Sequence, residues 1–345
     1  MTGRPGQSGT DTTRRFGRTE LPPDLEQALR RAVRLEWITL VMLAVTVTLV
    51  IVVMGSSQAM KAAWIEDMLS FIPPLAFLIA VRVINRPPRE KRPYGNHRAM
   101  GVGHLVASVA LLVMGAYLII DSGSGLLMAE HPPIGTFHLF GHTVWQGWFM
   151  MAVMLLSIPG PVILGRMKIT IAEQLHDKVL YADADMNKAD WQTGVATIVG
   201  VGGVGLGLWW FDSAAAIFVG LSILKDGASN VGTAISDLAD TRARTIEGKD
   251  EHPLVRQAEA HALTFGWVRH AGARIRDQGH VFHTELFVVP APGAALTVDA
   301  LEGLRQSVAD LDWKLEDVVV VPVSELPAEV HGGTPQDKQS EGGSR

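Results

Sequence analysis

Residues 181–190 read Tyr-Ala-Asp-Ala-Asp-Met-Asn-Lys-Ala-Asp, and they lead directly into a long apolar segment. Carboxylates cost roughly 2.5 to 3.5 kcal/mol each at the centre of a membrane helix, so those found there usually line a cavity or an ion path. Residues three or four apart share one face of a helix. Asp183, Met186 or Asn187, and Asp190 therefore form one stripe. The stripe predicts half of a polar site inside a helical membrane domain.

The composition favours an integral membrane protein. The chain has 345 residues, of which 48% are hydrophobic, and its mean hydropathy is +0.21. It contains no cysteine, which excludes disulfides and thiolate metal sites. A bound metal would have to be held by Asp, Glu, His, Asn, Ser or Met.

Six apolar spans follow one another, each close to the roughly 20 residues that cross a hydrocarbon core. They cover residues 37–56, 59–84, 100–120, 144–164, 182–211 and 214–234. This pattern predicts an all-α transmembrane domain of six helices over residues 31–240. Residues 1–30 and 328–345 lack apolar periodicity and are predicted to be disordered tails, the first of them cytoplasmic.

The basic residues set the orientation of the spans. Six Arg and Lys residues lie between positions 82 and 98, whereas residues 121–143 contain none. Since cytoplasmic loops carry the excess of Lys and Arg, the first of these loops is inside and the second is outside. We expect a multi-pass protein of the cell membrane, in contact with lipid, with both termini in the cytoplasm.

Residues 241–327 are predicted to form a small cytoplasmic domain. The periodicity changes from helical to strand-like and back, in the order α-β-β-α-β. This order favours an α+β domain with helices on one face of a small antiparallel sheet. Because such a domain buries little core, we expect it to be stabilised by dimerisation.

The second span contains the partner expected for the acidic stripe. Glu66 and Ser70 lie four residues apart and share one helix face, while Asp67 is rotated by about 100° from Glu66. The sequence leaves open which of the two acids faces the site. Together with Asp190, these oxygen atoms suit a divalent cation such as Mn²⁺, Fe²⁺ or Co²⁺.

Three members of the stripe have simpler interpretations that stay open. Asp183 is either a ligand or an acid at a helix start, where acids are favoured. Met186 is either a ligand or a packing residue, Met being a general filler of core gaps. Asn187 is an alternative ligand to Met186, and Asp190 could instead form a structural ion pair with Lys188 or with another helix.

These residues resemble the cation diffusion facilitator family of divalent-metal transporters. The resemblance rests on Pro93-Tyr94-Gly95 after the basic loop and on Ala182-Asp183-Ala184 ahead of Asp190. It implies six spans, a ferredoxin-like C-terminal domain and a four-residue metal site. On the family's motif the four positions are Glu66, Ser70, Met186 and Asp190, with Met186 standing where the family commonly has His.

The resemblance also implies a function. It indicates a homodimer that works by alternating access and exports a divalent cation, Mn, Fe, Co or Zn, in exchange for protons. No enzymatic activity, further cofactor or nucleic-acid partner is expected. The departures at Ser70 and Met186 support a second hypothesis, a membrane sensor or scaffold that keeps the fold without transporting.

Overall fold

The computed structural model describes residues 22–54, 64, 67–86, 90–92, 94–129, 135–139, 142–279 and 281–330. These residues form two compact units. The first comprises Pro23–His252 with residues 276–279, and the second comprises Pro253–Ile275 with residues 281–330.

The first unit is helical apart from one short hairpin. Its elements in chain order are α1 (Pro23–Met54), α2 (Ile72–Ile84), α3 (Arg98–Leu127), β1 (Thr136–Leu139), β2 (His142–Trp145), α4 (Gly147–Ser157), α5 (Pro159–Leu175), α6 (Lys178–Gly205) and α7 (Phe211–Leu238). The strands β1 and β2 pair antiparallel. The sequence predicts a helical span from Val144, but Val144 lies in β2 because its backbone pairs with β1, and α4 starts only at Gly147.

Five stretches are long and apolar enough to cross a membrane. They are Pro23–Val52, Asp67–Ile84, Arg98–Leu127, Gly147–Leu175 and Phe211–Leu238. The helix α6 is also long, at 28 residues. Its first half carries the acids and lysines of residues 181–190, so its composition alone does not mark it as a span. The described part of the chain thus shows five apolar spans where the sequence predicts six.

Two helices extend well beyond their predicted spans. The helix α1 begins at Pro23, so residues 23–30, predicted as part of the disordered tail, are helical. Asp24 and Glu26 lie in its first turn, where carboxylates interact favourably with the helix dipole. The helix α5 begins at Pro159 and continues to Leu175, past the predicted end of the fourth span at residue 164. The prediction used hydropathy, which falls where charged residues appear, although such residues can continue a helix.

The helices α3 and α7 pack backbone against backbone. A Cβ atom at Gly115 of α3 would lie 2.5 Å from the backbone nitrogen of Leu224, and one at Gly227 of α7 would lie 2.6 Å from that of Leu112. Small residues allow this close approach between membrane helices. The glycines therefore fix α7 against α3.

The helix α6 lies at the centre of the first unit. It contacts α2, α3, α4, α5 and α7. Its start is defined locally, since the carboxylate of Asp177 accepts hydrogen bonds from the backbone N–H groups of Val179 at 2.9 Å and Leu180 at 3.1 Å. The acidic stripe is thereby held inside the helical bundle.

The second unit follows the predicted element order. It contains α8 (Leu254–Ala262), β3 (Val268–Asp277), β4 (Phe282–Pro290), α9 (Val298–Ala309) and β5 (Asp317–Pro322), with sheet order β3-β4-β5. The helix α8 contacts β4, α9 contacts β5, and the two helices contact each other.

The prediction of an antiparallel sheet is wrong for one pair of strands. β4 and β5 run parallel, with His283 opposite Asp317 and Val288 opposite Pro322. The physical reason is the connection, because α9 crosses over the sheet and returns the chain to its starting edge.

Candidate functional site

Asp190 of α6 meets Ser70 from the second span. The Ser70 hydroxyl donates a hydrogen bond of 2.6 Å to Oδ1 of Asp190, and Ser70 is buried. The two residues are 120 positions apart in the chain. The packing of α6 against the second span therefore brings together two residues that the sequence predicts as site members.

Asp67 and Asp190 line one cavity of about 30 Å³. Its other polar lining residues are hydroxyl-bearing and come from α1, α4 and α6, and two methionine thioethers also reach it: Thr46, Ser157, Thr193, Thr197, Met42 and Met154. A water needs about 10 to 15 Å³ of such volume, so the cavity has room for a small ion or one or two waters. Asp67 thus brings a second carboxylate to the cavity of Asp190.

The hydroxyls of α6 keep acceptor capacity on the cavity side. Thr193 donates to the backbone oxygens of Ala189 at 3.1 Å and Asp190 at 2.9 Å, and Thr197 donates to that of Thr193 at 2.9 Å. Once its proton is used in this way, a hydroxyl can only accept, or bind a cation. The cavity is consequently rich in oxygen lone pairs.

Two carboxylates, several hydroxyl oxygens and two thioethers form a donor set for a divalent cation. Carboxylate and hydroxyl oxygens suit Mg²⁺ and Mn²⁺, and thioethers add affinity for softer transition metals. Within the part of the chain that the structure describes, no three His, Asp or Glu side chains are placed to hold a metal together. Glu66, the remaining predicted acid of the second span, lies outside the described residues.

Met186 points into an apolar cluster. It is buried and packs with residues of α3 and α7, among them Leu111, Met114 and Ile223. Leu69 and Ile72 of the second span pack against the same cluster. The surroundings of Met186 are those of a packing residue, the simpler of the two interpretations that its sequence position allows.

Lys188 has a partner other than Asp190. Its ammonium donates to Oδ2 of Asp226 on α7 at 2.7 Å, and Asn230 of the same helix donates to Asp185 at 2.9 Å. Asp190 is thus left with Ser70 and the cavity, and the alternative of a Lys188–Asp190 ion pair is not observed.

Asp183 lies in a separate buried cluster. Its carboxylate is paired with the ammonium of Lys168 on α5, which also donates to Glu36 of α1 at 2.9 Å. Asn187 donates to the backbone oxygen of Asp183 at 2.9 Å. Neither Asp183 nor Asn187 lines the cavity of Asp67 and Asp190.

Sequence reasoning missed eight residues that the structure brings to these clusters: Glu36, Met42, Thr46, Met154, Ser157, Lys168, Thr193 and Thr197. Two of them carried a signal. Glu36 is an acid immediately before the first predicted span, and Lys168 lies four residues beyond the end of the fourth. Extending both helices by a turn would have placed the two charges in the membrane domain. Met42 and Met154 gave no such signal, since methionine is ordinary in apolar spans.

With this geometry established, the relationship to known proteins can be stated. The profile of the cation efflux transmembrane domain matches residues 37–239, more than half of the chain. The chain belongs to the cation diffusion facilitator family. The matched region includes α2–α6 and every described residue that lines the cavity.

Individual members of this family are distant relatives. Manganese efflux system protein MneS of Bacillus subtilis (strain 168) is 27% identical over 181 residues, which cover 52% of this chain and 58% of that protein. Uncharacterized transporter YdbO of the same organism is 25% identical over 297 residues, 84% of this chain and 92% of YdbO. Magnetosome protein MamB of Magnetospira sp. (strain QH-2) is 23% identical over 207 residues, 60% of this chain and 67% of MamB.

The cation diffusion facilitator family consists of membrane transporters of metal cations and is not a family of enzymes. Five apolar helices agree with a multi-pass membrane protein. The resemblance seen at Pro93-Tyr94-Gly95 and at Ala182-Asp183-Ala184 is thereby confirmed as family membership.

Proposed function

We propose that this chain exports a divalent metal cation across the cell membrane in exchange for protons, by alternating access in a homodimer. The observation that carries the proposal is the junction of Ser70, Asp67 and Asp190 at a cavity inside the helical bundle. Carboxylates within a membrane domain are costly unless they serve a site of this kind.

Several structural features belong to the same proposal. α6 would be the sixth crossing, made tolerable by its contacts with five other helices. The second unit would be a ferredoxin-like cytoplasmic domain, and both termini would be in the cytoplasm. The loop between α2 and α3 carries the basic residues that favour this orientation.

Proton exchange follows from the ligands. A metal ion and a proton compete for the same carboxylate oxygens, so binding of one releases the other. Loading from a neutral cytoplasm and release into a more acidic exterior would then drive efflux.

Manganese is the first cargo to test. MneS is by name a manganese efflux protein, and the oxygen-rich cavity suits Mn²⁺. The thioethers of Met42 and Met154 make Fe²⁺ and Co²⁺ the next candidates, while the absence of a histidine among the described lining residues disfavours Zn²⁺.

Transport assays in reconstituted vesicles test the proposal. With an imposed pH gradient, we expect Mn²⁺ uptake above that of empty liposomes. From a panel of Fe²⁺, Co²⁺, Zn²⁺ and Cd²⁺, we expect only some ions to be taken up. Asp190→Ala should abolish uptake. Asp185→Ala is a matched control, because Asp185 lies on the same helix but bonds Asn230 on α7. Uptake that survives in Asp190→Ala would rule out the assigned site.

One observation favours a second candidate, a membrane sensor or scaffold without transport. Met186, at a motif position where the family commonly has His, packs in the apolar core. A protein of this kind would bind metal in detergent without moving it across vesicles. Metal binding with no uptake of any ion in the panel would select this alternative.

A further inference from the structure

A lysine is buried between two carboxylates at the junction of α1, α5 and α6. The ammonium of Lys168 donates to Glu36 at 2.9 Å and is paired with Asp183. Side-chain exposure is 0% for Lys168 and Glu36 and 1% for Asp183. The cluster is therefore sealed from solvent, unlike the partly exposed pair of Lys188 and Asp226.

The charges of this cluster do not balance. Two carboxylates face one ammonium, and among the described residues no other basic side chain pairs with either acid. Glu36 Oε1 is buried and accepts no hydrogen bond, although the other oxygen of that carboxylate bonds Lys168. A buried cluster with excess negative charge and an unsatisfied oxygen is costly unless a proton or a metal cation is added to it.

A neutral side-chain oxygen lies one turn from Asp183. Asn187 is buried, one turn from Asp183 on α6, and its Oδ1 accepts no hydrogen bond. Its Cβ faces α5, 3.2 Å from where a Cβ of Gly165 would lie, one turn before Lys168. Carboxylate and amide oxygens are the ligands that hard divalent cations prefer.

The cluster is aligned with the site at Asp190. Asp183 and Asp190 lie seven residues apart on α6, which is two turns on nearly the same face and a rise of about 10 Å. Asn187 lies between them. A cation moving along this face of α6 would meet the oxygens of the cluster and those of the cavity in succession.

We propose that Glu36, Asp183 and Asn187 form a second divalent-cation site, separate from the cavity of Asp190, in which the ammonium of Lys168 substitutes for the cation. A divalent cation that replaces the ammonium neutralises the two carboxylates, and the free oxygens of Glu36 and Asn187 are available to bind it. Lys168 gives up one proton as the ion enters, and its neutral amine moves aside on a flexible four-carbon stem, so the charge of the cluster stays balanced. The place of this site on an ion path rests on the proposed transport function, whereas its capacity to bind a cation does not.

Binding of Mn²⁺ to the purified full-length chain in detergent tests the site. Asp190→Ala removes the cavity site. Adding Lys168→Met to that variant removes the ammonium that pairs with Glu36 and Asp183. We expect the double variant to bind about one Mn²⁺ per chain more than Asp190→Ala, measured by electron paramagnetic resonance of the free ion, and to gain thermal stability on Mn²⁺ addition. Adding Glu36→Gln to the double variant should remove both effects.

A folded double variant that binds no more Mn²⁺ than Asp190→Ala would overturn the proposal and leave Lys168 as a clamp between three helices. Folding is judged by a monodisperse elution profile and helical circular dichroism. This result is independent of whether the wild-type chain transports, so the two proposals fail separately.

A second variant decides the case if Lys168→Met does not fold. Glu36→Gln keeps the shape of the side chain and leaves the Lys168–Asp183 pair intact. Loss of one carboxylate from the ion path should raise the KM for Mn²⁺ uptake by roughly tenfold or lower the rate of transport by a similar factor. If the chain binds Mn²⁺ without transporting it, the same change should weaken Mn²⁺ binding by roughly tenfold. Glu26→Gln, on the exposed start of the same helix, is the control. Glu36→Gln with wild-type uptake and binding would refute the site.

Discussion

Three residues of α6 within two turns of each other have different partners. Asp183 pairs with Lys168, Met186 packs against Leu111 and Met114, and Asp190 accepts a hydrogen bond from Ser70. Helical spacing puts them on nearly one face, but each meets a different neighbouring helix. At the scale of single residues, the function of each side chain therefore depends on the helix opposite it.

Met186 gives a direct test of packing against ligation. Because its neighbours are apolar, we expect Met186→Leu to change the free energy of unfolding by less than about 1.5 kcal/mol and to leave uptake unaltered. Met186→Ala should cost roughly 2 to 5 kcal/mol by leaving a cavity. Unfolding can be followed by the fluorescence of the nine tryptophans. Loss of uptake in Met186→Leu, with stability retained, would show that the thioether binds the ion.

Ser70 is expected to contribute to ion binding through Asp190. A hydrogen bond to a charged group contributes about 1.5 to 3 kcal/mol, and about 1.4 kcal/mol corresponds to a factor of ten. Ser70→Ala should therefore raise the KM for uptake by roughly tenfold or more, and Ser70→Thr should restore it. Ser108→Ala is the control, because that buried hydroxyl bonds the backbone of its own helix. An unchanged KM in Ser70→Ala would show that the contact to Asp190 has no part in binding.

At the scale of elements, helix α6 combines two kinds of sequence. Its first half carries the charged residues that bond α5 and α7. Its second half is rich in glycine and approaches the start of α7, where a Cβ at Gly203 would lie 2.4 Å from the ring of Phe211. Both halves make close tertiary contacts with neighbouring helices. This explains why a helix of membrane length fails a test of hydropathy alone.

The glycine contact between α3 and α7 predicts a contrast between two glycines of one helix. Gly227→Ala should destabilise the chain by at least 1 to 3 kcal/mol, the usual cost of overpacking, since its Cβ would lie 2.6 Å from backbone. Gly232→Ala should be neutral or stabilising by up to about 1 kcal/mol. The added Cβ would have no atom of another residue's side chain or of a neighbouring helix within 4 Å, and alanine favours the helical conformation. Thermal unfolding in detergent measures both. Equal stability of the two variants would contradict the close packing of α3 and α7.

At the scale of the whole molecule, charge segregation and the pattern of apolar spans predict how the chain is oriented in the membrane. The basic loop before α3 and the loop after α3, which lacks basic residues, lie at opposite ends of one apolar helix. The cation efflux profile covers all the helices of the first unit that pack around α6, although it starts within α1. Orientation in the membrane is therefore a property that a labelling experiment can test without disturbing the site.

The absence of cysteine makes that experiment direct. A single cysteine at Met128, 72% exposed at the end of α3, should react with a membrane-impermeant maleimide added to intact cells. One at Lys249, whose side chain is 74% exposed, should react only after the membrane is permeabilised. The cysteine-free wild type is the blank. The reverse pattern would invert the proposed topology.

The sequence alone determined the helical membrane class, the family resemblance and the order of elements from Leu254 to Pro322. Each of these follows from local composition, because span length, periodicity and charge segregation are properties of consecutive residues. It also gave Asp190, Asp67 and Ser70 as candidate members of a site, without deciding between Asp67 and Glu66. It could not give the parallel pairing of β5, which depends on where the chain returns after α9.

Which of the candidate residues meet depends on how the helices pack against one another. Ser70 and Asp190 are 120 positions apart, and Glu36 and Lys168 are 132 apart. Periodicity assigns a residue to a face of its helix but does not say which helix packs on that face. For the same reason Asp183 is paired with a lysine and Met186 is enclosed by apolar side chains, although both share the stripe of Asp190. The packing of the second span, α3, α4, α5 and α7 around α6 divides one acidic stripe into a cavity lined by carboxylates, an apolar core and a buried charge cluster.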